Sequence, residues 1–240
     1  MNLSLVIPFY NEQENIKVVV DGLVNSFEQA SIEYELVLVN NGSVDASPQI
    51  LEDLAKEKQK TIKIVHVQIN QGYGWGIING LKNATGEFVG FMSGDGQINT
   101  ESVLRVLECI RNENYDLVKV NRVVRHDGMT RRVLSLLYNF LFWVLFNVKT
   151  KDVNGSPKVL RRELLNVIDP ISKDWFIDAE IMIKAKYLNL NVEELPTEFL
   201  RRKKGRSHVK FTTIFEFVRN MLDYRFSRRM REWRQEVPKL

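Results

Sequence analysis

The chain has 240 residues, 44% hydrophobic and 27% charged, which is enough apolar material for one good core and excludes a low-complexity or disordered chain. The single cysteine, Cys109, excludes an internal disulfide, fits a reducing compartment and reads as a small core residue. Net charge is only +4, but basic residues cluster at 122–132, 201–206 and 225–234, so an anionic partner is expected: phosphate, lipid headgroup or nucleic acid.

Residues 1–8 lack a basic start, so no secretory signal is expected, and residues 3–7 read as a strand ending at Pro8. Asn11 followed by Glu14 resembles a helix start, and Ile16, Val19, Val20, Leu23, Val24 and Phe27 recur at helical spacing. Residues 34–39 predict a second strand, with Asn40-Asn41-Gly42-Ser43 as the loop beyond it. Ser47 and Pro48 make an N-cap and first-turn pair for a helix carrying Ile50, Leu51 and Leu54. Residues 62–67 read as a third strand, 72–81 as a helix and 87–92 as a fourth strand. That strand stops at the turn Ser93-Gly94-Asp95-Gly96-Gln97. The alternation predicts an α/β fold with a mostly parallel sheet and right-handed crossovers. Loops leaving the first, second and fourth strands then share one rim, where open α/β sheets bind ligands. That rim gathers Asn11, Asn40, Asn41, Asp45 and Asp95. The Asp95 carboxylate beside the Gln97 amide can hold a hard divalent cation, although Asp-Gly is also an ordinary turn.

Residues 117–121 predict a further strand ending at Arg122. Residues 133–148 are almost all apolar, while Arg131, Ser135 and Asn139 fall at i, i+4 and i+8 as one polar stripe. Sixteen helical residues span about 24 Å, short of the roughly 30 Å hydrocarbon core of a bilayer. Two readings stay open: a buried core helix, or an interfacial helix whose polar stripe faces the site. In residues 211–233, Phe211, Ile214, Phe215, Val218, Met221 and Leu222 share one helical face. Arg225, Arg228, Arg229, Arg231 and Arg234 follow, with Phe226, Met230 and Trp233 between them. This is either a core-packed helix with a solvated basic end or a helix drawn to anionic headgroups. No nucleic-acid motif accompanies the charge, so no nucleic-acid partner is expected. His66, His126 and His208 lack metal-ligand spacing. The glycine-rich run from Gly72 to Gly76 follows the third strand, whereas a dinucleotide fingerprint belongs to the first βαβ unit.

Several of these segments resemble a family. Pro8-Phe9-Tyr10-Asn11-Glu12 resembles the PxYNE opening of the family 2 inverting glycosyltransferases with a GT-A fold. Val39-Asn40-Asn41-Gly42-Ser43-Val44-Asp45 resembles their VDDGSxD segment. Asn70-Gln71-Gly72-Tyr73-Gly74, Asn79-Gly80 and Ala84-Thr85-Gly86 resemble NxGxGxAxxxGxxxAxG, and Ser93 to Gln97 resembles the DxDxQ metal turn. In the second half the resemblance is to the polyprenyl-phosphate sugar transferases, the dolichyl-phosphate mannose synthase-like branch. Asp152-Val153-Asn154-Gly155-Ser156-Pro157 resembles their D-x-x-x-G-F/P turn, and Phe176-Ile177-Asp178-Ala179-Glu180 their acceptor-side acidic segment. The stretch from Arg202 to His208 resembles RxxGxSK, with His208 in place of lysine.

The resemblance implies a GT-A three-layer α/β/α sandwich over residues 1–210. Residues 1–121 would form the nucleotide-sugar half, 122–210 the acceptor half, and 211–240 a basic amphipathic helical segment. It implies a GDP- or UDP-linked sugar donor held by Pro8, Tyr10, Asn11, Glu12, Asn40, Asn41, Gly42, Asp45, Gly72, Gly94, Asp95 and Gly96. Mg²⁺ or Mn²⁺ would sit on Asp95 and Gln97. A polyprenyl phosphate acceptor would take charge and orientation from Arg122, Arg131, Arg132, Ser135 and Arg202. A peripheral position on the cytoplasmic face of a membrane, with a membrane protein as a further partner, completes the expectation. Two departures stand out. Asn40 and Asn41 replace paired acids, and Ser93 replaces the first acid of the metal turn. An Asn still hydrogen-bonds a base edge or a ribose hydroxyl, and Mg²⁺ often uses one or two carboxylates with phosphates and waters. Two alternatives remain. One is a saccharide hydroxyl acceptor, for which Asp178 or Glu180 is the candidate general base. The other is a non-catalytic sugar-nucleotide or lipid-binding module, prompted by Ser93.

Overall fold

A computed structural model describes residues 2–125, 129–201 and 212–236, with backbone only at 125, 129–132, 212–216, 229 and 236. Strand β1 (Leu3–Phe9) is buried at every position. Both of its faces are covered, which is why its apolar run is continuous rather than alternating. The chain then alternates α1 (Ile16–Gln29), β2 (Tyr34–Asn41), α2 (Ser47–Glu57), β3 (Ile62–Val67), α3 (Tyr73–Leu81), β4 (Phe88–Phe91) and α4 (Thr100–Asn112). The second half holds β5 (Leu117–Arg125), α5 (Met129–Phe146), β6 (Lys158–Arg161), the short α6 (Leu165–Ile168), α7 (Ile177–Tyr187), β7 (Val192–Phe199), α8 (Thr212–Phe226) and α9 (Arg228–Glu236).

The strands form one sheet in the order β3-β2-β1-β4-β6-β5-β7. The first four pair in parallel, β6 runs antiparallel to β4 and β5, and β5 pairs with β7 in parallel. The sheet is therefore mostly parallel, as expected, with one reversed strand. Helices α1, α2 and α4 cover one face through Leu23, Leu51 and Leu107. The other face is covered by α3, α5 and α7 through Ile77, Phe142 and Ile181. Both C-terminal helices join this second layer, because Met221 of α8 and Met230 of α9 are buried in it.

Four local expectations change. Strand β2 runs two residues past the predicted end, so Asn40 and Asn41 are strand residues paired with His66 and Val67 of β3. Strand β5 likewise runs on to Arg125 and takes in Arg122. Asn11 does not start a helix: α1 begins at Ile16, and Asn11 takes a left-handed conformation with φ 53°. The single C-terminal helix breaks in two at Ser227, whose hydroxyl accepts the Met230 amide at 3.2 Å and so caps α9.

Helix α3 lies directly on β1 and β2. A Cβ at Gly80 would stand 2.2 Å from Val6 Cγ1 and 3.0 Å from Val39 Cγ2. Gly80→Ala therefore pushes the helix off the sheet, and overpacking of this kind costs about 1–3 kcal/mol. Urea unfolding should show the midpoint fall with an unchanged slope; a variant as stable as the parent would refute the close contact.

Candidate active site

The carboxyl ends of β1, β2 and β4 share one rim, and β5 joins them because β6 reverses between. The loops there are tied to one another by side chains. The Asn11 amide donates to Ser43 Oγ at 3.1 Å, and Asn11 Oδ1 accepts the Val44 amide at 2.9 Å. Asn40 Oδ1 accepts the Ser43 amide at 3.0 Å, while its Nδ2 meets His66 Nδ1 at 3.3 Å. Asp45 accepts the amides of Gln13 at 3.3 Å and Ser47 at 2.9 Å. Ser47, expected as a helix cap, instead accepts the Glu12 amide at 3.1 Å.

Within this frame lies a cavity of about 240 Å³. Of the expected donor-site residues, Pro8, Tyr10, Glu12, Asn41, Gly72, Gly94 and Asp95 line it. Asn11, Asn40, Gly42, Asp45, Gly96 and Gln97 lie outside its lining and build the loops behind. Asn41 has an unusual balance. Its Nδ2 donates to the Gly72 carbonyl at 3.0 Å, and its buried Oδ1 has no hydrogen-bond partner among the described residues. An orphaned buried acceptor costs about 1–3 kcal/mol, and a ligand N–H or hydroxyl in the cavity would satisfy it.

Asp95 uses one carboxylate oxygen to hold its own turn: Oδ1 accepts Ser93 Oγ and the Gln97 amide, both at 3.1 Å. Gln97, expected to face a metal, is buried, and its Nε2 donates to the Leu200 carbonyl at 2.9 Å. It ties the turn to the end of β7. Among the described residues no cluster of three or more His, Cys, Asp or Glu is placed to hold a metal. A lone rim carboxylate such as Asp95 can hold a divalent cation only where phosphates and water supply most of its shell.

The region expected to take the acceptor holds a set of buried ion pairs. Arg122 forks onto Asp152, with Nε–Oδ2 at 2.6 Å and Nη2–Oδ1 at 2.8 Å, and its guanidinium lies 5.1 Å from the Phe199 ring centre. Burial works against the charged form of Asp152. The charge and hydrogen bonds of Arg122, with Lys119 behind, nonetheless hold its carboxyl well below the usual range. Arg122, expected to offer its charge to an acceptor, is therefore bound up in a structural pair. Lys119 is fully buried and bonds the carbonyls of Val120 and Asp152 and the Glu194 carboxylate. Burial, then the like charge of Lys158, lowers its pKa to about 8. Lys158 bonds the carbonyls of Val153 and Gly155 and the carboxylate of Asp178. Glu180 accepts the Ile171 and Ser172 amides and pairs with Lys184 at 2.8 Å. Both candidate general bases are thus committed. On α5, Ser135 is half-buried, and Asn139 bonds the Lys151 carbonyl at 3.0 Å and the Val153 amide at 3.1 Å. The side chains of Arg131 and Arg132, and all of 202–208, lie outside the described residues.

Sequence reasoning missed Lys119 and Lys158. The one visible signal was a lysine interrupting an apolar strand run, Leu117-Val118-Lys119-Val120.

A family model described as "Glycosyl transferase family 2" matches residues 4–169. The chain belongs to glycosyl transferase family 2. The family 2 chain is 26% identical over 247 residues to a dolichol-phosphate mannosyltransferase of Pyrococcus furiosus, with all of this chain and 66% of that protein aligned. It is 26% identical over 220 residues to an undecaprenyl-phosphate 4-deoxy-4-formamido-L-arabinose transferase of Proteus mirabilis, covering 92% of this chain and again 66% of the relative. The chain thus spans just under two thirds of these relatives. Its fold superposes on a crystal structure of glucosyl-3-phosphoglycerate synthase from Mycobacterium tuberculosis in complex with Mn²⁺, UDP and phosphoglyceric acid. The TM-score is 0.72 at 20% identity, over 99% of this chain and 79% of that one. The family 2 chain has the GT-A α/β fold.

The Arg122–Asp152 pair sets an acid limit. The folded pKa of Asp152 lies below the ordinary value of about 3.9. Its stabilisation is therefore complete above about pH 4 and is lost as pH falls toward the folded pKa. Asp152→Asn should cost about 3 kcal/mol at pH 7, because the Arg122 charge then lacks its carboxylate. The variant's stability should also fall less steeply between pH 5 and 2 than the parent's in urea titrations. Parallel acid limbs would show that the pair is not what titrates.

Proposed function

We propose that this chain moves a sugar from a GDP- or UDP-linked donor to a polyprenyl phosphate at a membrane surface. The observation that carries the acceptor choice is the pairing of Asp178 with Lys158 and of Glu180 with Lys184 and two loop amides. A saccharide hydroxyl needs a base to take its proton, and both candidates are buried in ion pairs. A lipid phosphate, with a second pKa of about 6, is ionised near pH 7 and needs none. Its oxygen forms the new bond to the anomeric carbon as the bond to the diphosphate oxygen breaks, which inverts that centre. Two relatives named for dolichol phosphate and undecaprenyl phosphate support the reading.

This chain's residues would act by placement. Asn41 would accept a hydrogen bond from the nucleoside, and Asp95 would hold the divalent cation. When bound, that cation would neutralise charge on the leaving diphosphate. The acceptor turn, Asp152 to Pro157, is fixed by Arg122 and by Asn139 of α5. Holding both reactants in place in this way supplies catalysis by orientation.

The membrane part rests on α5. Leu136, Leu137, Phe140, Trp143 and Val144 are exposed on it, Phe140 at 62%, and they recur at 3–4-residue spacing on one side. Phe142 and Phe146 turn inward to the core. Arg225 of α8 bonds the Leu145 carbonyl at 3.1 Å, so an arginine-bearing helix stands beside the apolar face. Among the described residues no helix is long and apolar enough to cross a membrane. The arrangement fits a surface that dips into one leaflet, here assigned to the cytoplasmic side, with arginines among the headgroups.

Nucleoside diphosphate release tests the chemistry. GDP- and UDP-sugars with polyprenyl phosphate and Mg²⁺ or Mn²⁺ should give lipid-linked sugar of inverted configuration. Transfer to saccharide hydroxyls and none to lipid phosphate would overturn the acceptor assignment. Asp95→Asn should lower turnover at least a hundredfold and leave stability within about 0.5 kcal/mol, as for a rim residue outside the core. Turnover equal to the parent's at saturating metal would sink the metal role. Ser93→Asp should tighten Mn²⁺ binding, and unchanged affinity would mean that position 93 does not face the ion.

Vesicle flotation tests the surface. Binding should need anionic lipid, weaken with salt and fall about tenfold in Phe140→Glu, since burying one Phe contributes about 1.5–3 kcal/mol. Undiminished flotation of that variant would remove α5 from the contact.

A further inference from the structure

One wall of the rim cavity is a pair of stacked rings. Tyr73, first residue of α3, and Trp175, just before α7, have ring centres 4.5 Å apart and planes 17° apart. Both line the cavity with Asp95. Trp175 sits on a strap tied at every side. The Lys173 carbonyl accepts the Trp75 amide at 2.8 Å, and the Lys173 ammonium bonds Gln71 at 2.7 Å while lying 4.6 Å from the centre of the Trp75 ring. Gly72, at φ 120°, lets the strap come in: a Cβ there would stand 2.4 Å from the Lys173 carbonyl oxygen. Asp174 accepts the Phe176 amide at 2.8 Å with one oxygen and Asn220 Nδ2 of α8 at 2.6 Å with the other. Glu180 receives the amides of Ile171 and Ser172. The indole is therefore presented to the cavity on a rigid support.

The strand order shows which part of a donor this wall meets. Asn41 ends β2 and Asp95 follows β4, with β1 between them. Two strand spacings separate these residues by about 10 Å, roughly the reach of a nucleoside diphosphate. The Tyr73 hydroxyl belongs to a side chain that lines the cavity with Asp95. It bonds the Ser156 side chain and lies within the field of Asp178, Asp95 and Arg122, residues of the turn after β4 and of the acceptor half. Burial, then the two carboxylates, keeps that phenol protonated. With the diphosphate at Asp95 and the acceptor at the Asp152–Pro157 turn, this wall would lie beside the donor's sugar. A pyranose ring carries an apolar face of C–H bonds, and an aromatic ring is the side chain suited to cover it.

We propose that Trp175, backed by Tyr73, is the platform for the pyranose of the nucleotide-sugar donor and sets which pyranoses are accepted. This rests on the cavity being the donor site. Calorimetry with Mg²⁺ present, using UDP, GDP and their hexose-linked forms, tests it on the parent chain, Trp175→Ala and Trp175→Phe. The Kd of the bare nucleotide should stay within twofold in all three. The Kd of the nucleotide sugar should rise about tenfold in Trp175→Ala, with preference among hexose epimers flattened, and return most of the way in Trp175→Phe. If both Kd values rise in proportion, the wall holds the nucleoside and the platform is refuted. If neither moves while thermal melting falls, Trp175 is packing alone and the proposal also fails. A parent chain that binds neither nucleotide nor nucleotide sugar overturns the donor reading itself, whereas parent binding unaffected by the substitutions overturns only the platform.

Discussion

A loop that leaves a sheet must find partners for backbone groups that no longer belong to a ladder. At this rim the partners are short side chains on neighbouring loops. Asn11, Asn40, Ser43, Asp45 and Ser47 each accept a backbone amide from another part of the rim or from their own turn. The requirement explains why several residues that looked like ligands are frame. Once the frame is satisfied, Asn41 Oδ1 remains buried without a partner among the described residues, and Asp95 remains on the cavity wall. A rigid rim with few uncommitted polar groups is what a binding site needs, since ordering it on ligand arrival would cost affinity.

The second half of the chain solves a harder electrostatic problem. Lys119, Lys158, Lys184, Asp152, Asp178 and Glu180 are all buried. Isolated charges there would be prohibitively costly, so each is paired or bonded to carbonyls. Such pairs add little net stability compared with apolar residues, but they are unforgiving of displacement. They hold the turn from Asp152 to Pro157 and the start of α7 in fixed relation to β4 and β5. For the proposed transfer, in which sugar and phosphate would meet in line, that fixity would matter more than the energy of any one pair.

The strap before α7 joins the cavity rim to the second-face helices. It contacts the glycine-rich entry to α3 on one side and Asn220 of α8 on the other. Helix α8 in turn stands beside α5, whose outer face is apolar and exposed. The same second-face layer therefore supports the cavity wall and carries the surface that would meet lipid.

The repeat of strand and helix, the parallel first half and the family motifs were legible in the sequence, because buried strands and amphipathic helices write their periodicity directly into residue type. The place of Asp95 on the rim was legible too, since a turn leaving a strand of a parallel sheet opens at the carboxyl ends of the strands. The division of labour among the rim residues was not. Asn40 and Asn41 are adjacent and chemically identical, yet the strand alternates their side chains, so one bonds Ser43 and His66 while the other meets Gly72 and the cavity. Arg122 read as a charge offered to an acceptor because its partner, Asp152, is 30 residues away. Trp175 carried no motif at all; its place opposite Tyr73 exists only because the strap before α7 docks on the entry to α3. Local patterns determine which elements form, but which charge is neutralised and which ring faces a ligand depend on contacts between distant segments, and only the packed sheet and its helices decide those.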